Sequence, residues 1–307
     1  MNAMTQSLPV LPGMLLQLSF TNYEGNVRDT KAQAEVETSN NVRARNAARV
    51  YKSLFANCKE LNVIISHKNA IKQRVKAMTR PWSDNGDRYV TIGAVPELMA
   101  YLAEQVEHRQ GLVDNFLNRY DTEIAAAAFS LGNMFNRDDY PPRALVAHRF
   151  SMIYTLVPIP ASDALAGAAN EMMAGLRQQY EEAYTVRMQS VMMDSWERLY
   201  QMLTRLTRQL EVASDGKKRS FHRTMIPSIL EECERLKSYN ITNDPDLERA
   251  RQKLLDALTG VDTEDLRKDL DLRKVVRATA QELLDNSDWA SKAPEVINAF
   301  DDFTIED

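Results

Sequence analysis

Two long segments with a helical repeat of apolar residues decide the fold of this chain. Residues 96–134 read PELMAYLAEQVEHRQGLVDNFLNRYDTEIAAAAFSLGNM, and residues 165–210 read LAGAANEMMAGLRQQYEEAYTVRMQSVMMDSWERLYQMLTRLTRQL. In both segments large apolar side chains mostly recur every three or four residues, which places them along one stripe of an α-helix. Two such stripes facing each other predict a long antiparallel helical hairpin with coiled-coil character.

A connector punctuated by prolines joins the two predicted arms of the hairpin. Within it, residues 148–157 are rich in β-branched and aromatic side chains and stop at Pro158, which is typical of a β-strand. Residues 13–20 and 89–92 predict two more strands, and residues 50–54 alternate weakly and could pair with the first strand. Together these short segments predict a small antiparallel sheet.

The remaining segments predict helices or loops. Residues 27–48 are polar and predict a solvated helix or a mobile loop, whereas residues 61–78 carry a clear helical stripe. Near the end of the chain, three segments with a helical repeat predict a C-terminal helical region over residues 221–239, 245–258 and 264–284. Asp244 followed by Pro245 suits the start of the second of these helices, because aspartate caps a helix and proline fits its first turn.

We therefore predict a mainly α (α+β) fold, built from a long antiparallel helical hairpin, a small antiparallel sheet and a C-terminal helical region. A chain of 307 residues is long enough to bury a substantial core, in one large or two modest domains. In chain order, the predicted regions are an N-terminal α+β region with a basic segment (1–95), the hairpin with its β-containing connector (96–213) and a C-terminal helical region with an acidic tail (214–307).

The composition is typical of a soluble globular protein, with 44% hydrophobic residues, 26% charged residues and a net charge of −5. The two cysteines, Cys58 and Cys233, lie far apart in the sequence, which favours a reducing compartment over a disulfide framework. The early apolar run makes a poor signal peptide, and no apolar run reaches the roughly 18 residues that a membrane span needs. We therefore expect a cytoplasmic location, away from the membrane.

The sequence lacks the usual signatures of catalysis and of cofactor binding. It contains no GxxxxGK[ST], GxGxxG, GxSxG or HExxH motif. The four histidines are dispersed, and none has another His or a Cys at the helical spacing of a metal-ligand pair: His67, His108, His148 and His222. We therefore expect no enzyme activity, no cofactor and no metal site.

The charge of the chain is distributed unevenly. Residues 40–82 hold ten cations against a single acid, Glu60, which gives a local charge of +9, whereas residues 240–307 hold 17 acids and nine bases, a charge of −8. The basic segment predicts a surface for nucleic acid or for an acidic protein, and its alternative is a solvated face neutralised by the acidic region. The residues of this predicted surface are Arg43, Arg45, Arg49, Lys68, Lys72, Arg74, Lys76 and Arg80.

The final residues of the chain alternate acids with large apolar side chains. Such a tail could dock into a basic, apolar groove of a partner, and a frayed terminus is the alternative. The candidate docking residues are Phe300, Asp301, Asp302, Phe303 and Ile305.

Several short motifs occur in a defined order along residues 11–210. They are TRPW at 79–82 with Asp84 and Gly86, FLNRY at 116–120, LGNMFN at 131–136, DYP at 139–141, and RF at 149–150 leading to VPIP at 157–160. The ordered set resembles an uncharacterised family of phage and prophage proteins of unknown function. Its members are often encoded near MoxR-type, cobaltochelatase-like AAA+ ATPases and von Willebrand A-domain proteins. The resemblance implies a phage origin and such an ATPase as a candidate partner, and it supplies no catalytic residues.

Three classes of function follow from these patterns. The leading hypothesis is a non-enzymatic phage-type protein that acts through protein–protein interaction, as an adaptor or assembly component. The first alternative is a nucleic-acid-binding accessory protein of phage DNA metabolism, which the basic segment suggests. The second is a helical pore-forming protein, because residues 124–134 and 161–173 are rich in small residues. We also expect a homo-oligomer, because long helical hairpins often leave apolar surface that needs a partner.

Overall fold

A computed structural model describes residues 13–44, 47–83, 86–159, 171–211, 222–286 and 289–292, without the side chains of 171–174, 176–177 and 290–291. Over these ranges the chain forms ten α-helices and six β-strands, so the predicted mainly α (α+β) class is confirmed. Among the helices of the described ranges, none is both long and apolar enough to cross a membrane.

The chain divides into two compact units, and each unit is assembled from separate stretches of sequence. Unit 1 comprises residues 1–16, 78–95 and 156–307, and unit 2 comprises residues 17–77 and 96–155. The first arm of the predicted hairpin, residues 96–134, therefore lies in unit 2, whereas the second arm lies in unit 1.

The strands form two small sheets. The strands are β1 (Gly13–Thr21), β2 (Asn26–Arg28), β3 (Tyr51–Ser53), β4 (Arg80–Pro81), β5 (Arg88–Thr91) and β6 (Ser151–Pro158). One sheet has the order β4-β5-β1-β6, and the other pairs β2 with β3. In the larger sheet β5 runs antiparallel to both β1 and β4, with Gly13 opposite Thr91. The three strands predicted near residues 13, 89 and 151 are thus present.

The pairing predicted for residues 50–54 is wrong. Strand β3 pairs antiparallel with β2, so that Asn26 lies opposite Ser53, and it does not pair with β1. The reason is that β1 already has β5 on one side and β6 on the other. Gly25, at a φ of +62°, makes the turn before β2, and its carbonyl accepts a hydrogen bond of 2.7 Å from the Leu54 amide.

The helices account for most of the described residues. They are α1 (Thr30–Ser39), α2 (Lys59–Met78), α3 (Val95–Leu131), α4 (Arg143–Ala147), α5 (Glu171–Gln209), α6 (Met225–Tyr239), α7 (Pro245–Leu258), α8 (Thr263–Lys268), α9 (Leu270–Asn286) and α10 (Trp289–Lys292). Asp29 caps α1 by accepting hydrogen bonds from the Lys31 and Ala32 amides. Part of the polar stretch 27–48 is therefore helical.

The single helix predicted over residues 264–284 is two helices, α8 and α9. Asp269 separates them, because its carboxylate accepts hydrogen bonds from the Asp271 and Leu272 amides and so caps the start of α9. Apolar periodicity did not reveal the break, since Leu266 of α8 and Val276 of α9 lie in the same core.

Each unit has its own hydrophobic core. In unit 2 the stripe of α3, with Phe116, Tyr120 and Ile124, packs against side chains that include Leu54 and Phe55. In unit 1 the stripe of α5 shares one core with buried side chains of α6, α7, α9 and α10, and it contributes Trp196, Leu199, Leu203, Leu206 and Leu210. The two stripes identified in the sequence are therefore each covered within their own unit.

Candidate functional site

The predicted basic surface is only partly exposed. Arg43 and Arg49 are exposed between α1 and β3, and Lys72 and Lys76 are exposed on α2, whereas Arg45 lies outside the described residues. The surface that remains is thus smaller than the sequence suggests.

Three other cations of the basic segment pair with acids of unit 2. The Lys68 ammonium lies 3.8 Å from a carboxylate oxygen of Glu24, and the Arg74 guanidinium lies 3.5 Å from Glu97. Lys52 of β3 forms a closer pair with Asp139, at 2.7 Å. Lys72 also contacts its own unit, because its ammonium lies 5.9 Å from the centre of the Phe20 ring. The local charge of +9 is therefore reduced within unit 2 itself.

Arg80, which the sequence groups with this surface, is instead fully buried in unit 1. Its Nε lies 3.2 Å from the Asp194 carboxylate and its Nη2 lies 3.0 Å from Glu232. The guanidinium also lies over the Tyr239 ring, 4.1 Å from the ring centre. Burial, together with the charge of the neighbouring Arg198, lowers the pKa of Arg80 to about 10, although the two carboxylates oppose that change. Arg80 joins β4 to α5 and α6, so its role is structural.

The acidic and apolar tail, with Phe300, Asp301, Asp302, Phe303 and Ile305, lies outside the described residues. Its predicted docking role stays a prediction.

A cluster that the sequence analysis missed brings Cys58 close to two carboxylates. The thiol Sγ, a Glu60 oxygen and a Glu123 oxygen all lie within 4.8 Å of one another. Arg119 pairs with both acids, at 2.9 Å from Glu60 and 3.2 Å from Glu123. Burial raises the pKa of the Cys58 thiol to about 11, so the thiol is protonated at neutral pH. A neutral thiol beside two carboxylates already held by an arginine is a structural ion-pair cluster.

A second cluster brings together two histidines that are 41 positions apart in the sequence. The rings of His67 on α2 and His108 on α3 lie edge to face, with centres 4.7 Å apart. The His67 Nε2 lies 2.8 Å from the side-chain oxygen of Gln105. Burial lowers the pKa of His67, and the nearby His108 and Arg109 lower it further, although the bond to Gln105 opposes them. Helical spacing within one segment did not reveal this pair, because its members lie on different helices.

The clearest surface feature of unit 2 is the C-terminal end of α3. Phe129 is 93% exposed, and Met134, just after the helix, is 43% exposed. Three exposed positions of the helix near Phe129 carry small apolar side chains, namely Ala125, Ala126 and Ala128. We call these five residues the α3 apolar end.

Polar groups border the α3 apolar end. The Lys52 ammonium donates a hydrogen bond of 2.8 Å to the Met134 carbonyl while it pairs with Asp139. Gly132, at a φ of +50°, allows the tight turn that ends α3 and exposes Met134. An exposed aromatic side chain beside small apolar side chains is common in protein interfaces.

Comparison with known proteins gives no match to a family model, to a curated protein or to a solved structure.

Proposed function

We propose that this chain is a non-enzymatic phage-type protein that acts through protein–protein contact in the cytoplasm of the host cell, as an adaptor or assembly component. The α3 apolar end carries the proposal, because Phe129 is 93% exposed in unit 2. Leaving a side chain of this size in water instead of burying it forgoes about 1.5–3 kcal/mol. A partner that covers Phe129 would recover that free energy.

The shape of the α3 apolar end favours a packed partner such as another helix. Ala125, Ala126 and Ala128 have short side chains, so a second backbone could approach the helix closely beside Phe129. Large aromatic residues near the centre of an interface often supply most of its binding free energy. The Lys52–Asp139 pair is largely buried, with side chains 9% and 18% exposed, so it would hold the residues after α3 in place more than it would contact a partner.

The identity of the partner is suggested by the resemblance of the chain to phage and prophage proteins. A MoxR-type AAA+ ATPase is the first candidate, because such enzymes are often encoded near that family. A second copy of this chain is the other, since a homo-oligomer would cover the same apolar end.

Substitution of Phe129 tests the proposal directly. We expect Phe129→Glu to remove the partner when the tagged full chain is recovered from infected host cells, because a charge cannot enter an apolar contact without loss of affinity. Val186→Glu is the matched control, since Val186 is 62% exposed on α5 and lies in unit 1. Mass spectrometry would identify the proteins that co-purify, with circular dichroism as the check on folding.

The proposal fails if folded Phe129→Glu retains every partner that the unchanged chain recovers. It also fails if Val186→Glu loses the same partners, because the effect would then follow from added charge alone. Recovery of an AAA+ ATPase by the unchanged chain and by Val186→Glu, and not by Phe129→Glu, would support both the contact and the partner.

Nucleic-acid binding is the second candidate function. The supporting observation is that Lys72 and Lys76 are exposed one helical turn apart on α2, while Arg43 and Arg49 are exposed nearby in sequence. Lys68 and Arg74 pair with acids of their own unit, so the basic segment offers fewer cations to phosphates than the sequence suggests. We therefore rank this function second.

A further inference from the structure

Unit 2 contains a cavity of about 340 Å³ beside α3. Most of its wall is apolar, with Val113 and Leu117 from α3 facing Phe150 and Met152 from the segment that begins β6. Arg109 of α3 lines the same cavity, although only 3% of this residue is exposed to solvent. A buried cation in an apolar cavity needs an explanation, because burial of an unpaired charge is unfavourable.

The partners of Arg109 are all uncharged. Its Nη1 donates to the Ile64 carbonyl at 3.4 Å, and its Nη2 donates to the side-chain oxygen of Asn22. The guanidinium also lies 5.4 Å from the centre of the Phe20 ring. Within the described ranges, its Nε has no hydrogen-bond partner and no carboxylate forms an ion pair with it. Burial lowers the pKa of Arg109, with no acidic group opposing that change.

Other buried arginines of this protein have a source of negative charge. Arg80 pairs with Asp194 and Glu232 in unit 1. Arg273 donates to the carbonyls of Gln209 and Leu210 at the C-terminal end of α5, where a helix carries partial negative charge. Arg109 has neither arrangement, because its carbonyl partner, Ile64, lies inside α2.

The His67 ring near Arg109 does not neutralise its charge, because a neutral imidazole carries no negative charge. The Arg109 charge lowers the pKa of His67, and so does the adjacent His108. The acid that lines this cavity is Asp114, which is exposed and accepts a hydrogen bond of 2.9 Å from Gln110. The cavity thus has a buried cation, apolar walls and an acid at its solvent-exposed side.

We propose that this cavity binds a small organic anion with an apolar body, such as a medium-chain or aromatic carboxylate. The carboxylate pairs with the Arg109 guanidinium, which supplies the counter-charge that the fold does not provide. The hydrocarbon part lies against Val113, Leu117, Phe150 and Met152. This inference is independent of the α3 apolar end, and it assigns unit 2 a ligand site in addition to a protein contact.

Titration of the full chain with matched compounds tests the proposal. Isothermal calorimetry with octanoate and 4-phenylbutyrate shows whether the site prefers an aliphatic or an aromatic carboxylate. Octan-1-ol and octylamine serve as the neutral and cationic analogues of octanoate. We expect at least one carboxylate to bind saturably, and octan-1-ol to bind about tenfold or more weakly, because it lacks the ion pair. Equal affinity for octanoate and octan-1-ol, or binding of neither carboxylate, overturns the proposal.

Variants locate the binding within this cavity. Arg109→Gln should lower carboxylate affinity about tenfold or more. It also removes the hydrogen bonds to Asn22 and Ile64, so a loss of binding by this variant could reflect a change in folding. Asp114 and Gln110 line the cavity at exposed positions, so substitutions there should leave the fold intact. Asp114→Asn removes a negative charge and should tighten carboxylate binding several-fold, whereas Gln110→Glu adds one and should weaken it. Asp121→Asn is the control, because Asp121 is an exposed acid of α3 that does not line the cavity.

The two exposed variants give opposite outcomes if the proposal is correct. Unchanged affinity in both folded variants would overturn the location of the site. Equal effects of Asp114→Asn and Asp121→Asn would overturn it as well, because binding would then depend on the net charge of the chain and not on this cavity.

Discussion

At the scale of single residues, burial identifies the side chains on which stability depends. Leu199 of α5 is fully buried in the core of unit 1. We expect Leu199→Ala to lower the free energy of unfolding by about 2–5 kcal/mol, because the lost contacts leave a cavity. Val186→Ala on the same helix is the control, since Val186 is 62% exposed and should matter little. Thermal and urea denaturation measure both, and an unchanged midpoint for Leu199→Ala would contradict its burial.

The histidine pair predicts how stability depends on pH. Burial lowers the pKa of His67, so the folded chain keeps this ring neutral at a pH where the unfolded chain binds a proton. The stabilising contribution is therefore present above the unfolded pKa of about 6.5 and is lost as the pH falls below that value. Urea denaturation between neutral and mildly acidic pH should show a smaller loss of stability for His67→Gln than for the unchanged chain. Parallel pH profiles of the two would show that His67 has no such role.

At the scale of elements, the sequence predicted which face of a helix is apolar better than it predicted which other element packs against that face. The stripe over residues 61–78 became α2, and both long stripes became α3 and α5, because an amphipathic repeat is a local property. The repeat does not say which element covers a stripe. Helix α3 is covered by residues that include Tyr23, Leu54 and Tyr140, which no local pattern connects to it.

The candidate sites were harder to predict for the same reason. The charge of Arg80 suggested an exposed residue, but Asp194 and Glu232 reach it from α5 and α6 and make burial possible. Phe129 matches the helical stripe only approximately, and the sequence did not single it out as an exposed anchor. The sequence did not identify Arg109 as a site residue either, because only the folded chain shows that this buried arginine has no acidic partner among the described residues.

Helix α2 carries a prediction about salt. If Lys72 and Lys76 contact phosphates, the affinity for a DNA oligonucleotide should fall steeply as salt rises, because bound counterions are released. Fluorescence anisotropy at two salt concentrations measures this, and replacement of both lysines by glutamate should reduce the salt dependence. Replacement of Lys274 on α9, another exposed lysine, should not. Absence of binding at low salt by the folded chain would remove this function.

At the scale of the whole molecule, two kinds of self-association predict different responses to salt. A contact between the +9 segment of residues 40–82 and the −8 segment of residues 240–307 would be screened by salt. A contact through the α3 apolar end would persist at high salt and would be lost in Phe129→Glu. We expect the second behaviour, because Glu24, Glu97 and Asp139 already pair with cations of the basic segment.

Light scattering at low and high salt distinguishes these cases. A monomer under both conditions at micromolar concentration would contradict the expected homo-oligomer. Assembly that appears only at low salt would assign the contact to the charged segments and remove the apolar end from it.

The discontinuity of the two units has a consequence for the order of folding during synthesis. A chain emerges from the ribosome with its N-terminal residues first, and domains tend to fold as they are completed. Unit 2 has all of its residues once Thr155 is made, whereas unit 1 still lacks residues 156–307. Strands β4 and β5 are synthesised early. Arg80 of β4 can pair with Asp194 and Glu232 only after α5 and α6 have been synthesised. Until that point Arg80 of the nascent chain lacks these two carboxylates and is available for contact with a chaperone or with the ribosome surface.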